Sequence, residues 1–163
     1  MKQQSHITYE TFPDWEALSP EERQLLQEAL TAAGKAYAPY SGFAVGACVR
    51  LEDGTLVRGN NQENASYPQG LCAERVALFA ASAIHPGKRI TGIALVAPAS
   101  PTPLSPCGGC RQVLLEYEQR QQSPIPVLMG SVNGPVLRVA QAADLLPFCF
   151  SKENLTADAP ERQ

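Results

Sequence analysis

The stretch 43-FAVGACVRLEDGTLVRGN-60 predicts the first two strands of a β-sheet. Two β-prone runs, 43–51 and 55–60, flank Asp53-Gly54, a dipeptide that favours a tight hairpin turn. After a polar loop, helical patterns and apolar strand-like runs alternate along the rest of the chain. A hairpin followed by strands that are connected through helices predicts a mixed sheet in a layered α/β domain.

Helices and further strands are predicted on both sides of this hairpin. A capping signal at Ser19 and Glu22 begins a helix in 19–37. The alternating run 6-HITYETF-12 is compatible with one more short strand, and 152–163 with a frayed tail. Periodicity predicts the other elements, namely helices in 71–84 and 110–119, strands in 89–97, 124–130 and 134–140, and a helical turn in 142–146.

The composition narrows the class of protein and the partners that it is expected to have. The chain has 163 residues, of which 44% are hydrophobic and 18% charged, with a formal net charge of -3. This length suits one globular domain with a substantial core. The negative net charge disfavours a surface that follows a phosphate backbone, so we expect no nucleic-acid partner.

The cysteines and the lack of long apolar runs indicate a reducing compartment. No run approaches the roughly 18 apolar residues of a membrane span, and the first residues lack the apolar segment of a signal peptide. We therefore expect a cytoplasmic protein with no membrane partner. There, the five cysteines are metal ligands, catalytic groups or buried thiols rather than a disulfide framework. For Cys48 and Cys149 we expect small, buried or half-buried side chains.

Two cysteines stand three residues apart in 105-SPCGGCRQVLLEY-117, at a predicted helix start. Cys107 and Cys110 therefore lie on the same face of a helical turn. The free N–H groups and the positive end of the helix dipole lower the pKa of such thiols, and the thiolate is the form that binds a metal. Taken alone, the pair is compatible with half of a metal site, a redox pair or a tight turn.

A third thiol favours the metal site over the redox pair and the tight turn. Cys72 begins 72-CAER-75, also at a predicted helix start and at the same edge of the sheet. Three thiolates leave one open position on a tetrahedral zinc ion, which distinguishes a catalytic from a closed structural site. Zinc lowers the pKa of a bound water from 15.7 toward about 7. Glu74 is placed to shuttle the protons of that water without being a ligand. The alternative is a structural zinc, which would need a fourth ligand.

The negative charge of three thiolates on zinc predicts a positively charged side chain nearby. Three thiolates on a divalent cation leave a net charge of about -1, which weakens the acidification of water, and a positively charged donor near the sulfurs offsets it. Arg75 and Arg111 each directly follow an element of the site. We predict that one or both donate to the sulfurs; the alternative is that they are ordinary surface arginines.

The combined motif resembles a known family. Cys-x-Glu followed, after 31 intervening residues, by Pro-Cys-x-x-Cys is the signature of the zinc-dependent nucleoside and nucleobase deaminases. More narrowly, the chain resembles the small, three-cysteine, homotetrameric cytidine deaminases over residues 37–150. The resemblance is carried by 38-APYSGFAVGA-47, 59-GNNQENASY-67, 72-CAER-75, 106-PCGGCRQ-112 and 145-LLPFCF-150.

The resemblance implies a fold and an assembly. We expect a three-layer α/β/α fold with a five-stranded mixed sheet, one Zn²⁺ per subunit, and a homotetramer with composite active sites. The deaminase domain is expected to span 19–150, between an N-terminal arm (1–18) without an assigned role and a C-terminal tail (151–163).

The resemblance also implies the residues that bind the nucleoside. Asn61 and Glu63 match the pair that holds the ribose 3′-hydroxyl, and Phe43 matches an aromatic packed at the pyrimidine. Independently, Asn61 and Glu63 alternate on an extended segment, and an amide with a carboxylate can hold a hydroxyl as donor and acceptor. Such a site predicts a nucleoside rather than a free base as the substrate. Without the resemblance, Phe43 would be read as a core residue at a strand start.

Three further matches are to residues that act across a subunit boundary. Ala65 and Tyr67 match a segment that reaches a neighbouring subunit's site near the ribose 5′ end. Phe150 matches a C-terminal aromatic that covers the neighbour's base.

The leading hypothesis is zinc-dependent hydrolytic deamination of cytidine and 2′-deoxycytidine to uridine and 2′-deoxyuridine, with release of ammonia. A second hypothesis keeps this chemistry for a cytosine-nucleoside antibiotic, another modified nucleoside or a base in a polynucleotide. A third is a zinc-stabilised nucleoside-binding domain that is not an enzyme, which requires a fourth protein ligand on the metal.

Overall fold

The computed structural model describes residues 1–156, which form one mixed sheet with helices on both faces. The sheet order is β1-β6-β5-β4-β2-β3. β4 and β5 pair in parallel, and every other pair of neighbours is antiparallel. The strands are β1 (Glu10–Phe12), β2 (Gly46–Leu51), β3 (Leu56–Asn60), β4 (Ile90–Val96), β5 (Val127–Gly130) and β6 (Val136–Val139). The predicted α/β class and mixed sheet are confirmed.

Four α-helices accompany the sheet within residues 1–156, and the first three of them enclose two separate buried cores with it. They are α1 (Pro20–Ala33), α2 (Ala73–Ile84), α3 (Gly108–Gln121) and the one-turn α4 (Glu153–Thr156). The apolar side of α1 packs on one face of the sheet, whereas α2 and α3 pack on the other. This is the predicted three-layer arrangement. None of the helices within 1–156 has both the length and the apolar character needed to cross a membrane.

The sheet has six strands rather than the expected five, because the N-terminal arm contributes β1. Glu10 of β1 pairs with Arg138 of β6, and the two side chains form a salt bridge of 2.6 Å. The Arg138 guanidinium also lies 5.0 Å from the centre of the Phe12 ring. Close by, the indole N–H of Trp15 donates a hydrogen bond of 2.8 Å to the carbonyl of Ser131. The alternating run at 6–12 therefore does contain a strand.

Two glycines allow helices to lie directly against the sheet. A Cβ at Gly46 would stand 1.8 Å from the carbonyl oxygen of Ala29 in α1. On the other face, a Cβ at Gly59 would stand 2.4 Å from the backbone nitrogen of Ala77 and 2.5 Å from the carbonyl oxygen of Ala73, both in α2. Any larger residue at 59 would therefore push α2 away from β3.

The structure confirms the expectation for Cys48 and corrects two others, for Cys149 and for the C-terminal tail. Cys48 is buried as predicted, and this burial raises the pKa of its thiol to about 12. Cys149 is exposed, so the prediction of a buried or half-buried side chain is wrong: nothing within residues 1–156 buries it. In the predicted tail, residues 153–156 form a helical turn, and 157–163 lie outside the described residues.

Candidate active site

Three sulfurs converge at the edge of the sheet where α2 and α3 begin. Cys72 is the N-cap of α2, Cys107 is the N-cap of α3, and Cys110 lies in the first turn of α3. Their three Sγ atoms all lie within 4.8 Å of one another, and those of Cys72 and Cys107 are 3.7 Å apart. Two sulfurs bound to a tetrahedral zinc ion at about 2.3 Å would be about 3.8 Å apart. The group therefore fits three corners of a zinc tetrahedron.

The thiols are prepared for metal binding by their surroundings. Hydrogen bonds from Cys110 above all, and also from Arg75 and Cys107, lower the pKa of the Cys72 thiol to about 5. The pKa of the Cys110 thiol is raised, because it donates to Cys72 and is buried. The positive ends of two helix dipoles meet at the same place. A cation that displaces the remaining protons would satisfy all three sulfurs.

Glu74 stands beside the sulfurs but is not part of the metal group. Its side chain is in the first turn of α2 and the residue is only 4% exposed. Burial raises the pKa of its carboxyl group, and the negative charge of Cys72 acts in the same direction. Glu74 and Cys72 line a cavity of about 170 Å³ together with Asn61, Val45 and Leu104. Within residues 1–156, no fourth Cys, His, Asp or Glu joins the metal group.

Arg75 directs its charge at this site. Its Nη2 lies 3.9 Å from the sulfur of Cys72 and 3.3 Å from the carbonyl oxygen of Gly70. Its buried Nε has no hydrogen-bond partner within residues 1–156. This geometry agrees with the charge argument made from the sequence, since a cation so placed offsets the charge of the thiolates.

Arg111 has a different set of contacts. Its guanidinium donates to the carbonyl oxygen of Pro106 at 2.9 Å, to that of Leu145 at 3.0 Å and to the hydroxyl of Ser105 at 3.2 Å. None of the hydrogen bonds found for it within residues 1–156 goes to a sulfur. Arg111 thus connects the loop that precedes Cys107 to the C-terminal segment. Of the two arginines, Arg75 is the one that contacts a sulfur.

Asn61 holds the loop that precedes β2. Its Oδ1 accepts from the backbone N–H of Val45 at 2.8 Å, and its Nδ2 donates to the carbonyl oxygen of Phe43 at 2.9 Å. An amide retains one further N–H and one further lone pair after these two bonds. Asn61 can therefore still bind a hydroxyl from the cavity that it shares with Glu74. The ring of Phe43 is partly exposed and does not line that cavity.

Glu63 lies in a second cavity, of about 350 Å³, with Tyr40, Ser41 and Tyr67 on its walls. Its carboxylate accepts hydrogen bonds from the backbone N–H groups of Tyr40 and Ser41, at 2.8 and 3.2 Å, and from the Ser41 hydroxyl. These donors, with the Ser41 hydroxyl first, lower the pKa of the carboxyl group. Glu63 is therefore anionic near neutral pH and acts only as an acceptor.

Comparison with known proteins gives a family for this arrangement. The model of the cytidine and deoxycytidylate deaminase zinc-binding region matches residues 19–123, which include all three cysteines and Glu74. The chain belongs to the cytidine and deoxycytidylate deaminase family. Since the matched region is a zinc-binding one and contains the thiol group, the prediction of zinc as the cofactor is confirmed.

Individual members of this deaminase family match most of the chain. The cytidine deaminase of Halalkalibacterium halodurans is 40% identical over 134 residues, which cover 82% of this chain and 96% of that protein. The cytidine deaminase of Mycobacterium tuberculosis is 40% identical over 127 residues, or 78% of this chain and 87% of that protein. The crystal structure of cytidine deaminase from Burkholderia pseudomallei superposes with a TM-score of 0.70 at 44% identity and covers 78% of this chain and 97% of that one.

Three residues predicted to act across a deaminase subunit boundary are at the surface of the single chain. Ala65 is exposed, and Tyr67 is 75% exposed. The Tyr67 ring packs edge-on against the ring of Tyr40, with the ring centres 5.8 Å apart. Phe150 is 59% exposed, and its carbonyl accepts a hydrogen bond of 2.8 Å from Gln112. None of the three lines the cavity beside the sulfurs.

The structure adds cavity-lining residues that the sequence analysis did not single out. Ser41 and Val45 lie in the quoted stretch 38–47, but nothing in their spacing distinguishes them from their neighbours. Leu104 comes from a loop rich in proline and serine, where no periodicity indicates which side chains point inward.

Proposed function

We propose that the protein catalyses the hydrolytic deamination of cytidine and 2′-deoxycytidine to uridine and 2′-deoxyuridine, with release of ammonia. The observation that carries this proposal is a buried carboxylate, Glu74, beside a group of three thiols that has no fourth ligand within residues 1–156. The relatives that match most of this chain, which are themselves cytidine deaminases, support the choice of substrate.

The metal and the carboxylate have separate tasks. Cys72, Cys107 and Cys110 would hold zinc, which supplies a Lewis acid that brings the pKa of a water molecule toward about 7. Glu74 handles the protons. Its raised pKa suits a group that must both accept and return protons near neutral pH.

The proton transfers balance with Glu74 as the only shuttle. Its carboxylate accepts one proton from water and delivers it to N3 of the pyrimidine, while the water oxygen forms a bond to C4. Glu74 then takes the remaining proton of that oxygen and passes it to the 4-amino group. The bond between C4 and the amino nitrogen breaks, ammonia leaves with the electron pair, and C4 becomes a carbonyl carbon.

The ribose is assigned to Asn61 and Glu63. Asn61 shares the cavity of Glu74, and Glu63, two residues further along the chain, lines a second cavity. In this proposal the base occupies the first cavity and the sugar extends toward the second. Buried polar groups that lose their hydroxyl partner strongly disfavour a ligand without it. We therefore expect nucleosides to be far better substrates than free cytosine.

We further propose a homotetramer with composite active sites, in which Ala65, Tyr67 and Phe150 reach a neighbour's substrate. Support comes from α2, which has no charged residue from Val76 to Ile84 although its outer face is exposed in the single chain. A helix that is hydrophobic on all sides is usually buried. Because the metal site requires free thiols, we also propose a reducing, cytoplasmic location.

Ammonia release from cytidine by the zinc-loaded protein tests this function. Glu74→Ala should reduce the rate by roughly 10²- to 10⁴-fold, the usual contribution of general acid–base catalysis, while the zinc content stays at one ion per chain. Glu116→Ala, at an exposed carboxylate of α3, is the matched control and should turn over like the unmodified protein. Equal rates for the unmodified protein and Glu74→Ala would rule out the proposed mechanism.

A further inference from the structure

The hydroxyl of Ser41 connects two parts of the proposed nucleoside site. It donates a hydrogen bond to Oε1 of Glu63 and accepts one of 3.0 Å from the backbone N–H of Phe43. A serine hydroxyl has one donor and two acceptor sites, so both bonds can exist together. The Ser41 side chain thus fixes the orientation of the Glu63 carboxylate, which is expected at the ribose. It also fixes the backbone of Phe43, whose ring is expected at the base.

The backbone around Ser41 is shaped to make these bonds. Gly42 has a φ of 67°, in the left-handed region that favours glycine, and its N–H donates to the carbonyl of Ala38 at 3.0 Å. The turn brings the Phe43 N–H back onto the Ser41 hydroxyl, a local side-chain to backbone bond typical of serine. It also points the N–H groups of Tyr40 and Ser41 at Oε2 of Glu63.

The two oxygens of Glu63 are therefore held in different ways. Oε2 is held by two backbone N–H groups, whereas Oε1 is held by the Ser41 hydroxyl. Without that hydroxyl, the carboxylate would stay attached through Oε2, but Oε1 would be free to turn. The lone pairs left for a ligand would then no longer have a fixed direction.

We infer that Ser41 is a positioning residue, whose hydroxyl aligns Glu63 to accept the ribose 3′-hydroxyl of a nucleoside. The inference rests on the proposed function for the place of the nucleoside. It makes a specific claim about ligands: only those that carry a 3′-hydroxyl should be sensitive to the loss of the Ser41 side chain.

The test is the affinity for the reaction product and its 3′-deoxy analogue. Uridine and 3′-deoxyuridine are titrated calorimetrically into the zinc-loaded unmodified protein, Ser41→Ala and Ser41→Thr. Ser41→Ala should weaken uridine binding roughly tenfold, about the value of one charge-assisted hydrogen bond, and change 3′-deoxyuridine binding less than about twofold. Ser41→Thr keeps a hydroxyl and should restore most of the uridine affinity.

Ser82→Ala is the matched control. It removes a hydroxyl that accepts a hydrogen bond of 3.2 Å from Arg120 in the last turns of α2 and α3, away from both cavities, and should leave both affinities unchanged. Zinc content and the urea unfolding midpoint are measured for each variant. In turnover of cytidine, Ser41→Ala should raise KM more than it lowers kcat, since the chemistry at Glu74 is not altered.

Three results with the variants would overturn the inference: an equal loss of affinity for both ligands, no loss for either, or a failure of Ser41→Thr to restore uridine binding. Uridine binding no tighter than 3′-deoxyuridine in the unmodified protein would do the same. Failure of the proposed function gives a different result. In that case the unmodified protein releases no ammonia from cytidine, whereas the 3′-hydroxyl-dependent effect of Ser41→Ala on binding remains.

Discussion

At the scale of single residues, Arg75 is the cation whose guanidinium meets the sulfurs. Replacing it by glutamine removes one of the hydrogen bonds that lower the pKa of Cys72, so this pKa rises from about 5 toward the usual range of a thiol. At pH 6 a larger fraction of this thiol is then protonated in the variant than in the unmodified protein, although the hydrogen bond from Cys110 remains. Protons compete with zinc for the sulfur, so we expect Arg75→Gln to lose zinc at pH 6 more than at pH 8.

Zinc content after dialysis against a chelator at the two pH values measures this effect. The loss of zinc affinity at pH 6 should be on the order of 10- to 100-fold, as for other groups that support metal ligands. Arg75→Lys keeps the charge and should fall between the two proteins. Arg111→Gln, whose side chain holds the loop at Pro106 and Leu145, should show no added pH dependence. The same zinc loss at both pH values in Arg75→Gln would contradict the charge argument.

The chemistry at this scale could be predicted from the sequence because a metal site is a pattern of residue types. Cys72, Cys107 and Cys110 follow from ligand spacing at helix starts, and the structure gathers them as expected. Ser41 could not be predicted, since its role depends on the turn at Gly42 and on a carboxylate 22 residues away. Cys149 was misplaced because an apolar sequence context does not reveal whether anything packs over a segment within one chain.

At the scale of elements, the position of α2 depends on a glycine in the neighbouring strand. A Cβ at Gly59 would stand within 2.5 Å of the α2 backbone at Ala73 and Ala77. Gly59→Ala should therefore destabilise the zinc-loaded protein by about 3 kcal/mol, the upper part of the range for overpacking, since backbone cannot move aside as a side chain can. Because α2 begins beside Cys72 and Glu74, the shift should also lower kcat by up to about 10²-fold.

The matched control is Gly92→Ala, at a glycine of β4 whose Cβ would meet only the Leu25 side chain at 3.6 Å and the Pro126 carbonyl at 3.8 Å. These are ordinary contacts, so we expect a change within about 1 kcal/mol, in the stabilising direction, and unchanged activity. Urea unfolding and ammonia release measure both variants. If Gly59→Ala were as stable and as active as Gly92→Ala, close packing of α2 on β3 would not be what positions the site.

Elements with strong local signals could be predicted and those without could not. The hairpin around Asp53-Gly54 and the capped start of α1 at Ser19 are encoded by adjacent residues, and both are present. The role of β1 could not be predicted, because three residues at the N-terminus are fixed by Arg138, which is 128 residues away from Glu10 in the chain. The close approach of the α2 backbone to Gly59 could not be predicted either, because it depends on how α2 packs on the sheet.

At the scale of the whole molecule, the exposed apolar surface of one chain supports the proposed assembly. Phe79 on the outer face of α2 is 43% exposed, Tyr67 on the wall of the second cavity is 75% exposed, and Phe150 is 59% exposed. A single chain would present these aromatic rings to water, whereas an assembly would bury them. The number of subunits in this proposal comes from the family resemblance, because the packing within one chain does not encode it.

Light scattering after size-exclusion chromatography tests the assembly. The unmodified protein should have four times the 17.5 kDa mass of one chain. Phe79→Glu places a charge in the proposed interface, so it should give smaller species that keep zinc but lose most of their activity. Ile7→Glu, at an exposed apolar residue of the N-terminal arm, is the control and should stay assembled. A full assembly with normal turnover in Phe79→Glu would place the interface elsewhere.

The proposal that each active site combines residues of two subunits can be tested with assemblies of two different variants. A Phe150→Ala chain keeps its own Glu74 but offers no ring to its neighbour, whereas a Glu74→Ala chain offers the ring but cannot move the protons. If Phe150 completes the neighbouring site, dissociating and reassembling the two variants together should restore a fraction of the activity, because some sites then combine an intact Glu74 with an intact Phe150. If each site were complete within one chain, the mixture would show only the averaged activity of the two separate variants.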